Sequence, residues 1–171
     1  RVDLQPCPDG QPLNNTYQCL SVDATVDGDS WSAAPSDVTF PNQTAEGPFG
    51  GQLTIVVTTP NGLEGTFDPE TGRATVNGTL QIRVPGLGAG CGTSFVVNAT
   101  TGTSGGLTGT PLSVNGTTAR ATIVDGSFSV PGASGCGTFL NDALNGQVGI
   151  PSPSGQNELS LDLYLDLQEA S

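Results

Sequence analysis

Hydrophobic and polar residues alternate strictly near the C-terminus, in the segment Asn157–Gln168 with the sequence N-E-L-S-L-D-L-Y-L-D-L-Q. Side chains of a β-strand point to opposite faces with period two, so this pattern predicts a strand with one leucine face and one polar face. A helix would distribute the same leucines around its whole circumference. The leucine face consists of Leu159, Leu161, Leu163, Leu165 and Leu167.

Shorter segments repeat this alternation along the chain, between turns rich in Gly, Pro, Asn and Asp. Asn61-Gly62 is typical of a β-hairpin turn, and the change of phase after Asp125-Gly126 indicates a β-bulge. Helix is favoured only at Phe139–Leu144, for about one turn. The further predicted strands are Thr16–Val26, Asp37–Phe40, Gly51–Thr59, Leu63–Phe67, Arg73–Val84, Thr93–Thr100 and Thr117–Val130.

These segments together predict an all-β fold. About eight or nine antiparallel strands, stapled by disulfides, suit a β-sandwich of two sheets or a jelly roll. A chain of 171 residues fits one domain. We expect that domain to span residues 1–171, with a proline-rich N-terminal segment at 1–15 and the alternating strand at 157–168.

The charge of the chain restricts its partners. Sixteen acidic residues against four arginines, without lysine or histidine, give a formal net charge of -12. Phosphate backbones and anionic membrane surfaces repel such a chain, so we expect no nucleic-acid binding. No run approaches the roughly 18 apolar residues of a membrane span, so we expect no membrane insertion.

Four cysteines, Cys7, Cys19, Cys91 and Cys136, allow three disulfide pairings. An internal repeat favours one of them, because V-P-G-L-G-A-G-C-G-T at 84–93 returns as V-P-G-A-S-G-C-G-T at 130–138. Equivalent loops lying side by side would join Cys91 to Cys136, which leaves Cys7 and Cys19 to close a short N-terminal loop. Disulfides indicate an oxidising compartment, so we expect a secreted, extracellular protein.

Asn-x-Thr sequences mark acceptor sites for N-glycosylation in a secreted chain. A glycosylated asparagine would have to lie on the surface of the fold. The five acceptor asparagines are Asn14, Asn42, Asn77, Asn98 and Asn115.

The chain lacks the residue types that most catalytic mechanisms require. Without histidine there is no Ser-His-Asp or Cys-His arrangement, and without lysine there is no Schiff base. Two carboxylates suffice for a glycosidase, but Asp162 and Asp166 lie on a regular polar strand face, which favours solvation. Asp23, Asp27 and Asp29 surround a turn without the spacing of a calcium loop. We therefore predict no enzyme, and no catalytic, metal or cofactor site.

Two kinds of binding remain open. Trp31 follows the turn at 27–30 and could stack against a sugar, as exposed aromatics do in carbohydrate-binding modules, or it could fill the core instead. The C-terminal strand could complete the sheet of a neighbouring copy through Leu159, Leu161, Leu163, Leu165 and Leu167, which would build a filament by strand complementation. It could equally complete the sheet of its own chain.

Two segments resemble secreted cell-surface β proteins of actinobacteria: V-D-G-S-F-S-V-P-G-A-S-G-C-G at 124–137 and G-I-P-S-P-S-G-Q-N-E-L-S-L at 149–161. The resemblance implies an exported β protein at the cell surface and assigns no catalytic residue. Pilins that assemble by strand donation are similar in logic only, because they donate an N-terminal strand.

The sequence hypothesis is therefore a secreted structural or adhesive surface protein, a filament subunit whose partner is a further copy of itself or a cell-wall surface. The alternative is a carbohydrate-binding module.

Overall fold

The computed structural model of the protein describes residues 2–4, 20–47 and 49–167. Within these ranges it has one α-helix, α1 (Thr138–Val148), and two short 3-10 helices at Pro35–Asp37 and Pro85–Leu87. The strands are β1 (Val2–Leu4), β2 (Ser21–Asp27), β3 (Ser30–Ala33), β4 (Val38–Thr39), β5 (Gln43–Glu46), β6 (Gln52–Thr58), β7 (Leu63–Asp68), β8 (Arg73–Arg83), β9 (Gly92–Thr100), β10 (Thr103–Ser104), β11 (Leu107–Thr108), β12 (Thr110–Asn115), β13 (Thr118–Asp125) and β14 (Leu159–Leu167).

Twelve of these strands form one antiparallel sheet, which confirms the predicted β class. Along the sheet the order is β12-β13-β14-β1-β2-β3-β7-β8-β6-β5. Strand β4 pairs with β2, and β9 pairs with β8 along its length and with β13 at the single pair Val124 and Thr100. The sheet therefore curls into a half-barrel.

The prediction of a sandwich of two sheets is corrected by this arrangement of strands. The twelve strands form a curled sheet with a concave and a convex face and are not clearly divided into two packed layers, while β10 and β11 form a separate two-stranded sheet. Alternation along a strand tells which residues share a face, but it does not tell which strand lies beside which.

The long strand β8 organises one side of the sheet. Its first half pairs with β7 and its last residues pair with β6, while β9 runs along its other edge over nine residue pairs. The predicted hairpin at Asn61-Gly62 is therefore wrong, because β6 and β7 pair with β8 and not with each other. The turn itself is present: Gly62 has a φ of 77°, and a Cβ there would collide with the carbonyl of Ala33.

The C-terminal strand β14 lies inside the sheet of its own chain. It pairs with β13 over eight residue pairs and with β1 over three. Ser160 and Asp162 are exposed, whereas Leu159, Leu161 and Leu163 are half-buried on the concave side. Leu161 and Leu163 face the buried Ile123 and Ala121 of β13, so the predicted alternation is present in this part of the strand.

Cys91 and Cys136 form a disulfide, which confirms the pairing that the repeated loops indicated. The two loops also exchange backbone hydrogen bonds, from Gly92 N to Ser134 O at 3.0 Å and from Ser134 N to Gly92 O at 2.9 Å. Both cysteines are buried, with Val84, in a small apolar cluster that Leu53, Leu87, Leu140 and Leu144 cover. The predicted pair Cys7 and Cys19 lies outside the described residues.

After the repeated loops the two halves of the chain diverge. Cys91 leads into β9, whereas Cys136 leads into α1, whose eleven residues exceed the single turn predicted at 139–144. Leu140, Leu144 and Val148 fall at intervals of four residues, but no residue of α1 is buried. The bulge predicted at Asp125-Gly126 is also wrong, because β13 ends at Asp125 and Val130 makes only an isolated bridge to Ser152.

Candidate functional site

The concave face of the sheet holds an apolar cavity of about 560 Å³. Its walls come from strands that lie far apart in the sequence, because the curl of the sheet turns their inner faces toward one another. The helix α1 closes part of one side. The side chains that define it include Ile55, Val57, Leu80, Ile82, Val97, Ile123, Leu144, Val148, Leu159 and Leu161.

Many cavity residues are only half-buried. Fully enclosed apolar side chains are mostly small or belong to the cluster of Val22, Ala24, Ala33, Val38 and Leu63 at one end of the sheet. By contrast Leu80, Ile82 and Leu161 each retain part of their exposure although they point to the concave side. The apolar side chains of the concave face therefore do not fill the space that the curled sheet encloses.

Among the described residues only two polar side chains line this cavity, and neither is charged. Thr93 donates its hydroxyl to the carbonyl of Pro131 at 2.8 Å. Gln43 lies on β5 opposite Ile55, and its carboxamide makes no hydrogen bond to the part of the chain that the structure describes. Gln43 is thus the one cavity side chain whose polar group is not committed to another described residue.

The helix α1 is fixed beside the cavity through its ends and one flank. The side chain of Asn145 accepts from Ala133 N at 2.7 Å, and that of Asn141 accepts from Cys136 N at 3.0 Å. Gln147 donates to the carbonyl of Glu46 at 3.0 Å. The rings of Phe49 and Phe139 stack with centroids 5.6 Å apart. These contacts hold Leu144 and Val148 against the cavity without burying the helix.

Trp31 lies on the core face of β3 and is also among the residues that border a polar cleft. Its ring packs against the cluster of Val22 and Ala24, and its indole N–H donates to Thr75 O at 3.2 Å. It passes over Gly65, where a Cβ would collide with the ring and with the carbonyl of Thr75. The cleft above has a volume of about 450 Å³ and is lined by Thr25, Asp27, Ser30, Ser32, Glu64, Thr66 and Asn77 besides Trp31 and Gly65.

Asp125 is a fully buried carboxyl group at the end of β13. It accepts hydrogen bonds from Asn98 N at 2.7 Å, from both the N–H and the hydroxyl of Ser127 at 2.8 Å, and from the hydroxyl of Ser104 at 3.1 Å. Burial raises the pKa of this carboxyl, but the hydrogen bonds together outweigh burial and hold its pKa below the ordinary value. The group ties β9, β10 and β13 together.

The five leucines predicted for strand complementation are divided by the fold. Leu159 and Leu161 line the cavity, and Leu163 lies next along the same face. The backbones of Leu165 and Leu167 pair with Leu4 and Val2 of β1. The role of this strand in joining copies of the chain stays a prediction.

The predicted glycosylation sites lie at different depths. Asn42, Asn98 and Asn115 are exposed, Asn77 is half-buried in β8, and Asn14 lies outside the described residues. Among the described residues no group of three or more acidic or cysteine side chains is placed to hold a metal ion. Within the same ranges no helix is long and apolar enough to cross a membrane.

The sequence did not reveal the cavity. Most wall strands were predicted from their alternation, although β5 was not, but the space between walls depends on the curl of the sheet and on side-chain volume. One available signal was the low apolar content of 35%, with only 5% aromatic residues, for a chain with this much strand. Long apolar faces with few bulky residues predict an incompletely filled interior.

No family model matches the chain, and no curated protein and no solved structure is significantly similar to it.

Proposed function

We propose that this protein is a secreted binding protein that holds an apolar small molecule in the concave cavity of its curled sheet. The observation that carries the proposal is the lining of the cavity, where aliphatic side chains dominate and the described residues place no charged group. Ligand sites are typically concave and mostly apolar with a few placed polar groups, and their volumes run from about 300 to 1,000 Å³. The cavity, at about 560 Å³, falls in that range.

Part of the apolar surface of the cavity stays exposed to solvent in the folded chain, and covering it would stabilise a bound ligand. Leu80, Ile82 and Leu161 are half-buried, so a ligand that covers them removes further apolar area from water. A chain of about ten methylene groups gains on the order of 8 kcal/mol on burial. Part of this gain is lost to the entropy of association, so we expect micromolar rather than nanomolar affinity.

The secreted location is part of the proposal and has its own support. The Cys91–Cys136 disulfide is compatible with an oxidising compartment, as is the resemblance of two segments to exported surface proteins. An extracellular protein with an apolar interior can hold a molecule that water dissolves poorly.

The test is binding of a neutral apolar dye whose fluorescence rises on transfer out of water. Val57→Phe fills part of the cavity and should weaken dye binding about tenfold, a loss of about 1.4 kcal/mol. Val96→Phe is the matched control, because Val96 lies on the outer face of β9 and is 55% exposed. Equal dye binding by both variants, each verified as folded by its far-UV circular dichroism and thermal melt, would refute the proposal.

A carbohydrate-binding role is the second candidate, and the polar cleft beside Trp31 favours it. Carboxylate, hydroxyl and carboxamide groups suit sugar hydroxyls, and Trp31 is among the residues that line the cleft. Glu64→Ala removes an exposed carboxylate of the cleft and leaves Trp31 in its packing. Glycan-array binding that survives Glu64→Ala and Trp31→Phe would exclude this cleft as the sugar site.

A further inference from the structure

We infer that the cavity selects an uncharged amphiphile, a long apolar molecule with one hydroxyl or carbonyl oxygen, whose polar end lies at Gln43. The inference rests on the proposed function and specifies the class of ligand. Two features carry it: the charge of the molecule around the cavity, and the half-buried carboxamide of Gln43 on the cavity wall, which makes no hydrogen bond to another described residue.

Charge selects against anionic ligands such as fatty acids and phospholipids. No charged side chain of the described residues lines the cavity, and the chain as a whole carries a net charge of -12. The guanidinium group of Arg83 is already bound to Gln81 Oε1 at 3.0 Å and to the carbonyl of Ala89 at 2.9 Å. A carboxylate or phosphate drawn into the cavity would lose its hydration without meeting a cation, which is strongly unfavourable.

A cationic head group lacks a partner as well. Within the described part of the chain no carboxylate lines the cavity, and the neighbouring Glu46 is exposed on the same strand as Gln43. An ammonium group would have to stay in the solvent to keep its hydration. The interior of the cavity therefore offers full compensation only to a head group without charge.

Gln43 provides that compensation. Its carboxamide offers two N–H donors and one carbonyl acceptor, and it makes no hydrogen bond to another described residue. Covering it with a purely apolar molecule would leave these groups unpaired, which costs about 1–3 kcal/mol. A hydroxyl can both donate to and accept from a carboxamide, and a ketone or ester oxygen can accept from it. An apolar chain that carries a hydroxyl or carbonyl oxygen is therefore preferred over the same chain without that oxygen.

The experiment compares dodecanol, dodecanoate and dodecyltrimethylammonium as competitors of the neutral dye, on the full chain at neutral pH and low salt. Dodecanol should displace the dye at a concentration at least about tenfold below that of either ion. Equal or tighter binding of dodecanoate or of the ammonium compound would overturn the inference while leaving the proposed function intact. If neither the dye nor any competitor binds, the proposed function fails and the inference fails with it.

Variants of Gln43 locate the polar end. Gln43→Leu should weaken dodecanol about three- to tenfold without weakening the neutral dye, because only the alcohol loses a hydrogen bond. Gln43→Arg should raise the affinity for dodecanoate about tenfold by supplying the missing cation. Gln52→Leu is the control, since Gln52 is exposed at the start of β6. Unchanged dodecanol binding by Gln43→Leu would overturn the placement at Gln43.

Discussion

Asp125 shows how a single side chain can join three strands of this fold. It is the one charged residue of the described chain that is fully buried, and its four hydrogen-bond donors come from Asn98, Ser104 and Ser127. A buried carboxylate is tolerated because these donors replace its hydration. In the sequence Asp125-Gly126 looked like a bulge, whereas in the fold Asp125 is the side chain that secures the end of β13.

Replacement of Asp125 should therefore be costly. Asp125→Asn puts an amide group where the carboxylate receives backbone N–H donors, so at least one donor loses its partner. We expect the free energy of unfolding to fall by about 2–3 kcal/mol, measured by urea denaturation at neutral pH. The exposed Asp142→Asn on α1 should change it by less than about 0.5 kcal/mol. An equally small effect of Asp125→Asn would show that the carboxylate is dispensable.

The same carboxyl predicts how stability depends on pH. Its pKa in the folded chain lies below the ordinary value of 3.8, since its hydrogen bonds outweigh its burial. Below pH 3.8 the unfolded chain therefore binds more protons, and folded stability is lost as the pH falls through the folded pKa. The difference in stability between wild type and Asp125→Asn should be constant at neutral pH and shrink on acidification. A difference that grows in acid would mean a raised pKa.

The sequence predicted the pairing of two distant residues where the segments around them were similar. Cys91 and Cys136 could be paired because the loops around them repeat. Gln43 carried no such signal, because a lone glutamine on a short strand becomes noticeable only when the surrounding wall is apolar. Trp31 was left between core and binding roles, and the fold gives it contacts with both the core and the polar cleft.

At the scale of elements, the alternation of apolar and polar residues predicted the bounds of strands better than it predicted which strands pair. The strands at 51–59, 73–84, 93–100 and 157–168 all appear within a few residues of their predicted bounds. The partner of each strand depends on turns and on the curl of the sheet, so the pairing of β6 and β7 with β8 could not be read from their own residues. The helix α1 was underestimated because it buries none of its residues and contains Asn and Gly.

The disulfide-linked loops should contribute much of the stability around α1. The Cys91–Cys136 bond joins residues 45 apart in the sequence, and closing a loop of this length restricts the unfolded chain. Replacing both cysteines by serine should lower stability by about 3 kcal/mol, or the melting temperature by roughly 10 °C.

The double variant isolates this bond, whereas a reducing agent would also act on the disulfide predicted between Cys7 and Cys19. Thermal unfolding followed by circular dichroism gives the comparison. Without its covalent link to the loop before β9, α1 should become accessible to proteolysis earlier than β14. An unchanged melting temperature would mean that the backbone bonds between Gly92 and Ser134 suffice to hold the loops.

At the scale of the whole molecule, both ends of the sheet are poorly suited to adding a further strand. The strand path ends at β12 and β5. Pro111 lies in β12, whose register with β13 shifts between Thr110 and Ser113, and a proline cannot donate to a neighbouring strand. At the other end, the side-chain amide of Gln147 donates a hydrogen bond to the carbonyl of Glu46 on β5. Such features limit edge-to-edge association.

Filament formation would therefore require exchange of β14 between copies. In its own chain this strand is paired on both sides, with β13 and with β1, so donation to a neighbour would first break about as many backbone bonds as it makes. We expect a monomer at micromolar concentration, as measured by light scattering after size-exclusion chromatography, and no fibres in negative-stain micrographs. Fibres that disappear when residues 157–171 are deleted would instead establish strand complementation and make the cavity a secondary feature. A monomer that still binds the neutral dye supports the ligand-binding role, because Leu159 and Leu161 of β14 then serve as part of the cavity wall.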